Sequence, residues 1–202
     1  MTEKEIPIDD PSLTSEVTYP ELHEQTLNQV LLTPVQLGKD DRNSVRLYDV
    51  IGYNNTKDAI AFIATSEDLS FSSVLTTTLV HGWAIMSHEH SDVFKKILSL
   101  RNNALCSNYR MFHQVKSGLT ISPQFCNNTF IGFIDDKMHD DIVIKSDLLR
   151  ISMSKYATIC LCMSLQDCDY IIPEYQKVFR ETVTFFNYNC NVLVKILDDI
   201  KY

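Results

Sequence analysis

The sequence predicts an α+β domain: a mainly antiparallel sheet with helices packed on it, closed by a long C-terminal amphipathic helix. Three observations carry this. The last thirty residues keep a helical hydrophobic period throughout, from Pro173 to Tyr202. Several shorter segments, from Val45 onward, instead read as strands separated by turn-forming residues. The two kinds of segment come in runs and not in a regular β-α-β alternation, which indicates an antiparallel sheet and not a doubly wound parallel one.

Taken in order, Met1 to about Pro20 carries Glu3, Glu5, Asp9, Asp10 and Glu16, with prolines at 7, 11 and 20. It reads as a mobile acidic arm preceding a single domain over 21–202. Leu22, Leu27, Val30 and Leu31 permit a short helix before Pro34 and Gly38. Val45–Tyr53 and Lys57–Thr65 flank Asn54, Asn55 and Thr56, so a β-hairpin is expected, its second strand central because residues 59–64 are all apolar.

Ser70 or Ser72 can cap a helix over 73–87 that holds the single tryptophan, Trp83, and Ser91 a second over 92–102 with Val93, Phe94, Ile97 and Leu98 inward. Strands are expected at 109–115, 119–121, 129–134 and 142–144, with 156–163 a further candidate and 148–153 ambiguous.

In the closing segment Tyr175, Val178, Phe179, Val183, Phe186, Cys190, Leu193, Ile196, Leu197 and Ile200 share one face at 100° per residue, opposite Lys177, Arg180, Glu181, Thr184, Asn187, Asn191, Lys195 and Asp198. Residues 184–194 also alternate with period two, as a strand would. Helix is the preferred reading, because its period spans the whole segment.

Composition narrows the function. With 45% hydrophobic and 22% charged residues and no apolar run near 18 residues, the chain reads as soluble, without a membrane span. The acidic, polar start resembles no secretory or mitochondrial leader, so a cytoplasmic or nuclear location is expected, with the six cysteines reduced. Five scattered glycines supply no phosphate loop and no nucleophile elbow, each of which needs backbone N–H groups brought close to an anion, and no cofactor is expected.

Three constellations could carry chemistry. His81, His88 and His90 include a His-x-His pair, but no third ligand follows at a zinc spacing, and they read as solvated loop histidines. Asp135, Asp136 and Lys137 follow an apolar run, as in metal-dependent nucleases, yet no Asp or Glu lies between Val93 and Ile134 to complete such a site, so a solvated acidic turn is the simpler expectation. Cys160 and Cys162 sit among apolar neighbours and read as core.

Charge patterning is the remaining signal. Between Val93 and Ile134 every charge is basic (Lys95, Lys96, Arg101, Arg110, Lys116), whereas the whole chain carries −8 and therefore −13 outside this window. These five are the candidate partner-binding residues, facing an acidic segment of another protein or the chain's own arm. The function expected is a non-enzymatic protein–protein interaction domain, a regulatory or scaffold subunit of an intracellular complex. The alternatives are a divalent-metal-dependent hydrolase or nuclease at Asp135, Asp136 and Lys137, and a nucleic-acid-binding subunit using the basic window. Nucleic acid is the weaker choice because such domains show a basic total.

Overall fold

The computed structural model describes residues 19–50, 55–102 and 119–200; of the acidic arm, only Tyr19 and Pro20 fall within it. They open a 3₁₀ turn, Tyr19–Glu24, which overlaps the end of the stretch read as arm. The elements that follow are α1 (Leu27–Leu31), β1 (Asn43–Tyr48), α2 (Asn55–Ser66), α3 (Phe71–Glu89), α4 (Ser91–Asn102), β2 (Thr129–Ile134), α5 (Asp136–Leu149), α6 (Met153–Leu165) and α7 (Pro173–Ile200).

The fold is α+β, with an antiparallel sheet and a long C-terminal helix. The sheet has two strands among the described residues, and the helices supply most of the core. No single helix among the described residues is long and apolar enough to cross a membrane.

Two helices lie at the centre. In α3 every residue from Val74 to Ala84 is buried, and in α6 so is every residue from Tyr156 to Leu165, as happens when neighbours cover a helix all round. Their mutual contact is the most extensive between any two elements. Gly82 makes it possible: a Cβ there would stand 1.7 Å from the carbonyl oxygen of Cys160. Beside this seam His81 bridges two elements, with Nδ1 2.7 Å from Ser164 Oγ and Nε2 2.9 Å from the carbonyl oxygen of Gln25, just ahead of α1.

The sheet lies across the central pair, β2 on α3 and β1 on α6. Its register runs from Asn43 opposite Ile134 to Tyr48 opposite Thr129, so Val45, Leu47 and Ile134 point inward while Arg46, Ile131 and Phe133 point out. Threonines of the underlying helices reach the strand edges: Thr76 Oγ1 donates to the Phe133 carbonyl, and Tyr48 N–H donates to Thr158 Oγ1, both at 3.0 Å. Two edge groups, one on each strand, are thereby satisfied inside the molecule.

Several expected strands are helices. The segment 57–65 belongs to α2, whose buried residues Asn55, Thr56, Ala59, Ile60, Ile63 and Ala64 recur every three to four positions while Lys57, Asp58, Ala61 and Phe62 face out. There is accordingly no hairpin, and β1 pairs instead with β2, some eighty residues on. Residues 142–144 fall in α5 and 156–163 in α6. The segment 119–121 is irregular, and 109–115 lies outside the described residues. Between α5 and α6, Arg150 adopts a left-handed conformation (φ 53°) and Ser152 caps the next helix. In α4 the inward set is Val93, Phe94, Ile97 and Leu100, with Leu98 turned outward.

Candidate interaction surface

The C-terminal helix has a buried face and an exposed one. Inward, Phe179, Val183, Phe186, Cys190, Leu193 and Leu197 are buried against the core, chiefly α6 and α4, so residues 184–194 are helical. Thr182 and Asn189 sit on the flanks of this face and turn their side chains back to the carbonyls of Val178 and Phe185, so their polar atoms stay satisfied where they are covered.

The helix is fastened at both ends. Near its start Gln176 donates to the Cys168 carbonyl at 2.6 Å, and Arg180 Nη2 reaches Asp167 at 3.1 Å. Toward its end Lys96 of α4 meets Asp198 at 2.8 Å. His90, at the end of α3, packs edge-on against Phe186 and lies 2.9 Å from Asn187 Oδ1.

Outward, the same helix exposes two aromatic rings. Phe185 is 40% and Tyr188 68% exposed, so part of the apolar area of each ring stays in water. Together with Lys177, Arg180, Glu181 and Thr184 they line a shallow depression of about 500 Å³ on the helix surface. The flanking charges are internally matched, Lys177 with Glu181 at 3.9 Å and Arg180 with Asp167. Exposed aromatics with an arginine beside them and a polar rim are the composition of protein-binding hot spots.

Of the five basic candidates, Lys95 and Lys96 have described side chains. Lys95 is exposed on α4, but Lys96, with its side chain 27% exposed, is turned onto Asp198. The Arg101 side chain, Arg110 and Lys116 lie outside the described residues. Lys96 is engaged in this way because α7 passes close enough to α4 to offer it a carboxylate.

Asp135 is the N-cap of α5, its Oδ1 accepting the Met138 N–H at 2.7 Å, while Asp136 in the first turn is hydrogen-bonded by Asn43 of β1. The acidic stretch is therefore a helix start, favoured by the helix dipole, and not a turn between strands. Further along α5, Asp141 accepts from Trp83 Nε1 at 2.5 Å and pairs with Lys145 at 2.6 Å. The Lys145 ammonium also donates to Ser87 Oγ at 2.7 Å and lies over the rings of Trp83 and Phe94. This group joins α3, α4 and α5. A serine beside a lysine invites comparison with a nucleophile and its base, but an amine paired to a carboxylate is a donor and not a proton acceptor.

His81 and His88 lie within α3, and His90 is the turn residue that caps it. His81 and His90 are buried, burial pushing both below the ordinary histidine range. His88 is exposed and stacks on His23, ring centres 3.9 Å apart, which helps hold the N-terminal turn on α3. Cys160 and Cys162 are fully buried with thiols pushed well up by desolvation, and Cys168 is pushed up to about 11, so all three are packing groups. Among the described residues no three His, Cys, Asp or Glu side chains stand close enough to hold a metal ion.

The chain matches no protein-family model, no curated protein and no solved structure in the comparisons made.

Proposed function

We propose that this chain is a non-enzymatic protein-binding subunit that engages another polypeptide through the outer face of α7. The observation that carries the reading is the exposure of Phe185 and Tyr188 side by side on a helix whose opposite face is sealed into the core. Such a helix is rigidly held, so binding orders little beyond side chains and loses little entropy. The exposed rings supply apolar area, and the matched charges around them supply a rim that shields the contact from water.

A photo-reactive amino acid placed at position 188 tests this in the protein's native source. Adducts to a polypeptide are expected from position 188 but not from position 62, which lies on α2 and is similarly exposed. Adducts equally abundant from both positions, or absent from 188, would refute it.

A further inference from the structure

The outer face of α7 is self-complementary when read backwards, and this singles out its occupant. We infer that it binds a second copy of the same chain, the two α7 helices lying antiparallel about a two-fold axis at Tyr188; the inference rests on the binding role given to this face above. At 100° per residue the stripe from Lys177 to Asp199 that contains Glu181, Tyr188 and Lys195 stays within about 100° of arc, directly opposite the buried Phe186 and Leu193.

The charges along the stripe alternate in a way that reversal turns into attraction. Glu181 lies seven residues before Tyr188, and Lys195 lies seven after it; Lys177 lies eleven before, and Asp199 eleven after. An antiparallel partner centred on Tyr188 therefore places Glu181 against Lys195 and Lys177 against Asp199. By symmetry every pairing occurs twice. A parallel partner would instead set Lys177 against Lys177 and Glu181 against Glu181, so the charge order selects direction as well as partner. All four of these residues are exposed, and the Lys177–Glu181 contact within one chain, at 3.9 Å, is loose enough to exchange.

Between the charges the pairing is compatible with packing. Tyr188 meets its own symmetry mate, Thr184 meets Val192, and Phe185 meets Asn191 at the edge of the seam. The helix is 28 residues long, about 42 Å, so its centre falls beside Tyr188 and both ends of the stripe find partners. With three apolar side chains per copy, the contact belongs to the small, reversible class, with a Kd on the order of 1–100 μM.

The test is sedimentation velocity on the full chain over a concentration series, with Glu181→Lys, Lys195→Glu and the double variant. The wild type should dimerise, each single reversal should weaken the dimer on the order of tenfold, and the double variant should return to within roughly threefold of wild type. Circular dichroism and thermal unfolding verify that the exposed substitutions leave the fold unchanged. A chain that stays monomeric, a dimer indifferent to the single reversals, or a double variant no better than the singles overturns the inference. Photo-adducts at position 188 separate the two failures: a monomer that still yields an adduct to a different polypeptide keeps the face as a binding site but removes the second copy, whereas a monomer without adducts removes both.

Discussion

Gly82→Ala tests the architecture at its centre. A methyl group at this position would stand 1.7 Å from the Cys160 carbonyl oxygen, 2.6 Å from its carbon and 3.3 Å from the Ser164 nitrogen. Carbon and oxygen rest at about 3.3 Å or more even in close C–H···O contacts, so relief requires local separation of α3 and α6 by roughly 1.5 Å. The obstacle is backbone on a buried helix, and no rotamer change can clear it. A radial gap of 0.5–1 Å already forfeits about a quarter to a half of each dispersion contact along the opened seam. Overpacked cores commonly lose about 1–3 kcal/mol and sometimes more, while alanine returns about 1 kcal/mol of helix propensity. A clash with fixed backbone belongs at the severe end, so the net loss should be about 3 kcal/mol. Opening the seam also stretches the His81–Ser164 bond, which spans it. Urea unfolding followed by circular dichroism reads this directly. Gly132→Ala is the companion: its Cβ would meet only side chains, Leu79 at 2.9 Å and Leu47 at 3.1 Å, and should cost less, about 1–2 kcal/mol. If Gly82→Ala unfolds within about 1 kcal/mol of wild type, the close approach of α3 and α6 is wrong.

Other expectations follow from the same packing. Phe186→Ala, in the sealed face of α7, should lose roughly 3–5 kcal/mol, whereas Phe185→Ala, one residue away on the outer side, should shift stability by less than about 0.5 kcal/mol in the same urea assay. Asp135→Ala removes the α5 cap and should cost about 1 kcal/mol, while Asp135→Asn, which still caps, should cost less; equal losses would argue against capping. Among the described residues the buried Tyr156 hydroxyl meets no hydrogen-bond partner, so Tyr156→Phe should leave the thermal midpoint unchanged or raise it, and a marked fall would reveal a partner. Finally, His81 and His90 are held below the ordinary value of 6.5 by burial, so the unfolded chain takes up protons that the folded chain resists. Their contribution to stability is present above pH 6.5 and is lost as pH falls through their folded values. Each lowers stability by up to about 1.4 kcal/mol per pH unit in this window. The raised carboxyls of Asp49 and Glu89 act with the opposite sign at lower pH. The urea midpoint should therefore decline between pH 6.5 and 5.5, and less so in His81→Gln; a flat profile would contradict the buried, neutral assignment.

The α7 helix, α3, α4 and β2 were legible from the sequence because each shows its period or its cap plainly. The errors share one cause. In α2 the apolar run 59–64 reads as a strand covered on both sides, yet Ala61 and Phe62 face outward and the buried set follows the helical spacing that begins at Asn55 and Thr56. The buried stretch of α6 is apolar all round, so it carries no period from which helix and strand could be told apart. In α5 the Asp-rich start suggested a turn, although Asp135 three residues before Met138 is also how a helix begins. The pairing of β1 with β2 could not be read locally, since the partners lie far apart in the chain.

The candidate surface was only half legible. Phe185 and Tyr188 fall on the polar side of the helical wheel, but the helical reading assigned neither to a face, and Tyr188 entered only through the strand-like alternation of 184–194 that the helical period outweighed. The cations of the basic window, conspicuous in composition, lie on α4 and outside the described residues, and Lys96 is engaged by Asp198 of α7, a contact set by how the helices pack.

The central claim is that one face of α7 holds the fold and the other holds a partner. Paramagnetic labels attached at position 188 of the full chain measure this most directly, because double electron–electron resonance reads the distance between labels on two copies of the chain and needs no second reagent. The account predicts a short distance, below about 25 Å, at position 188, lost when Glu181→Lys is added and regained with Lys195→Glu. The absence of both dipolar line broadening and a label-to-label distance at 188, under conditions where the protein sediments as a dimer, would place the interface elsewhere and contradict the account.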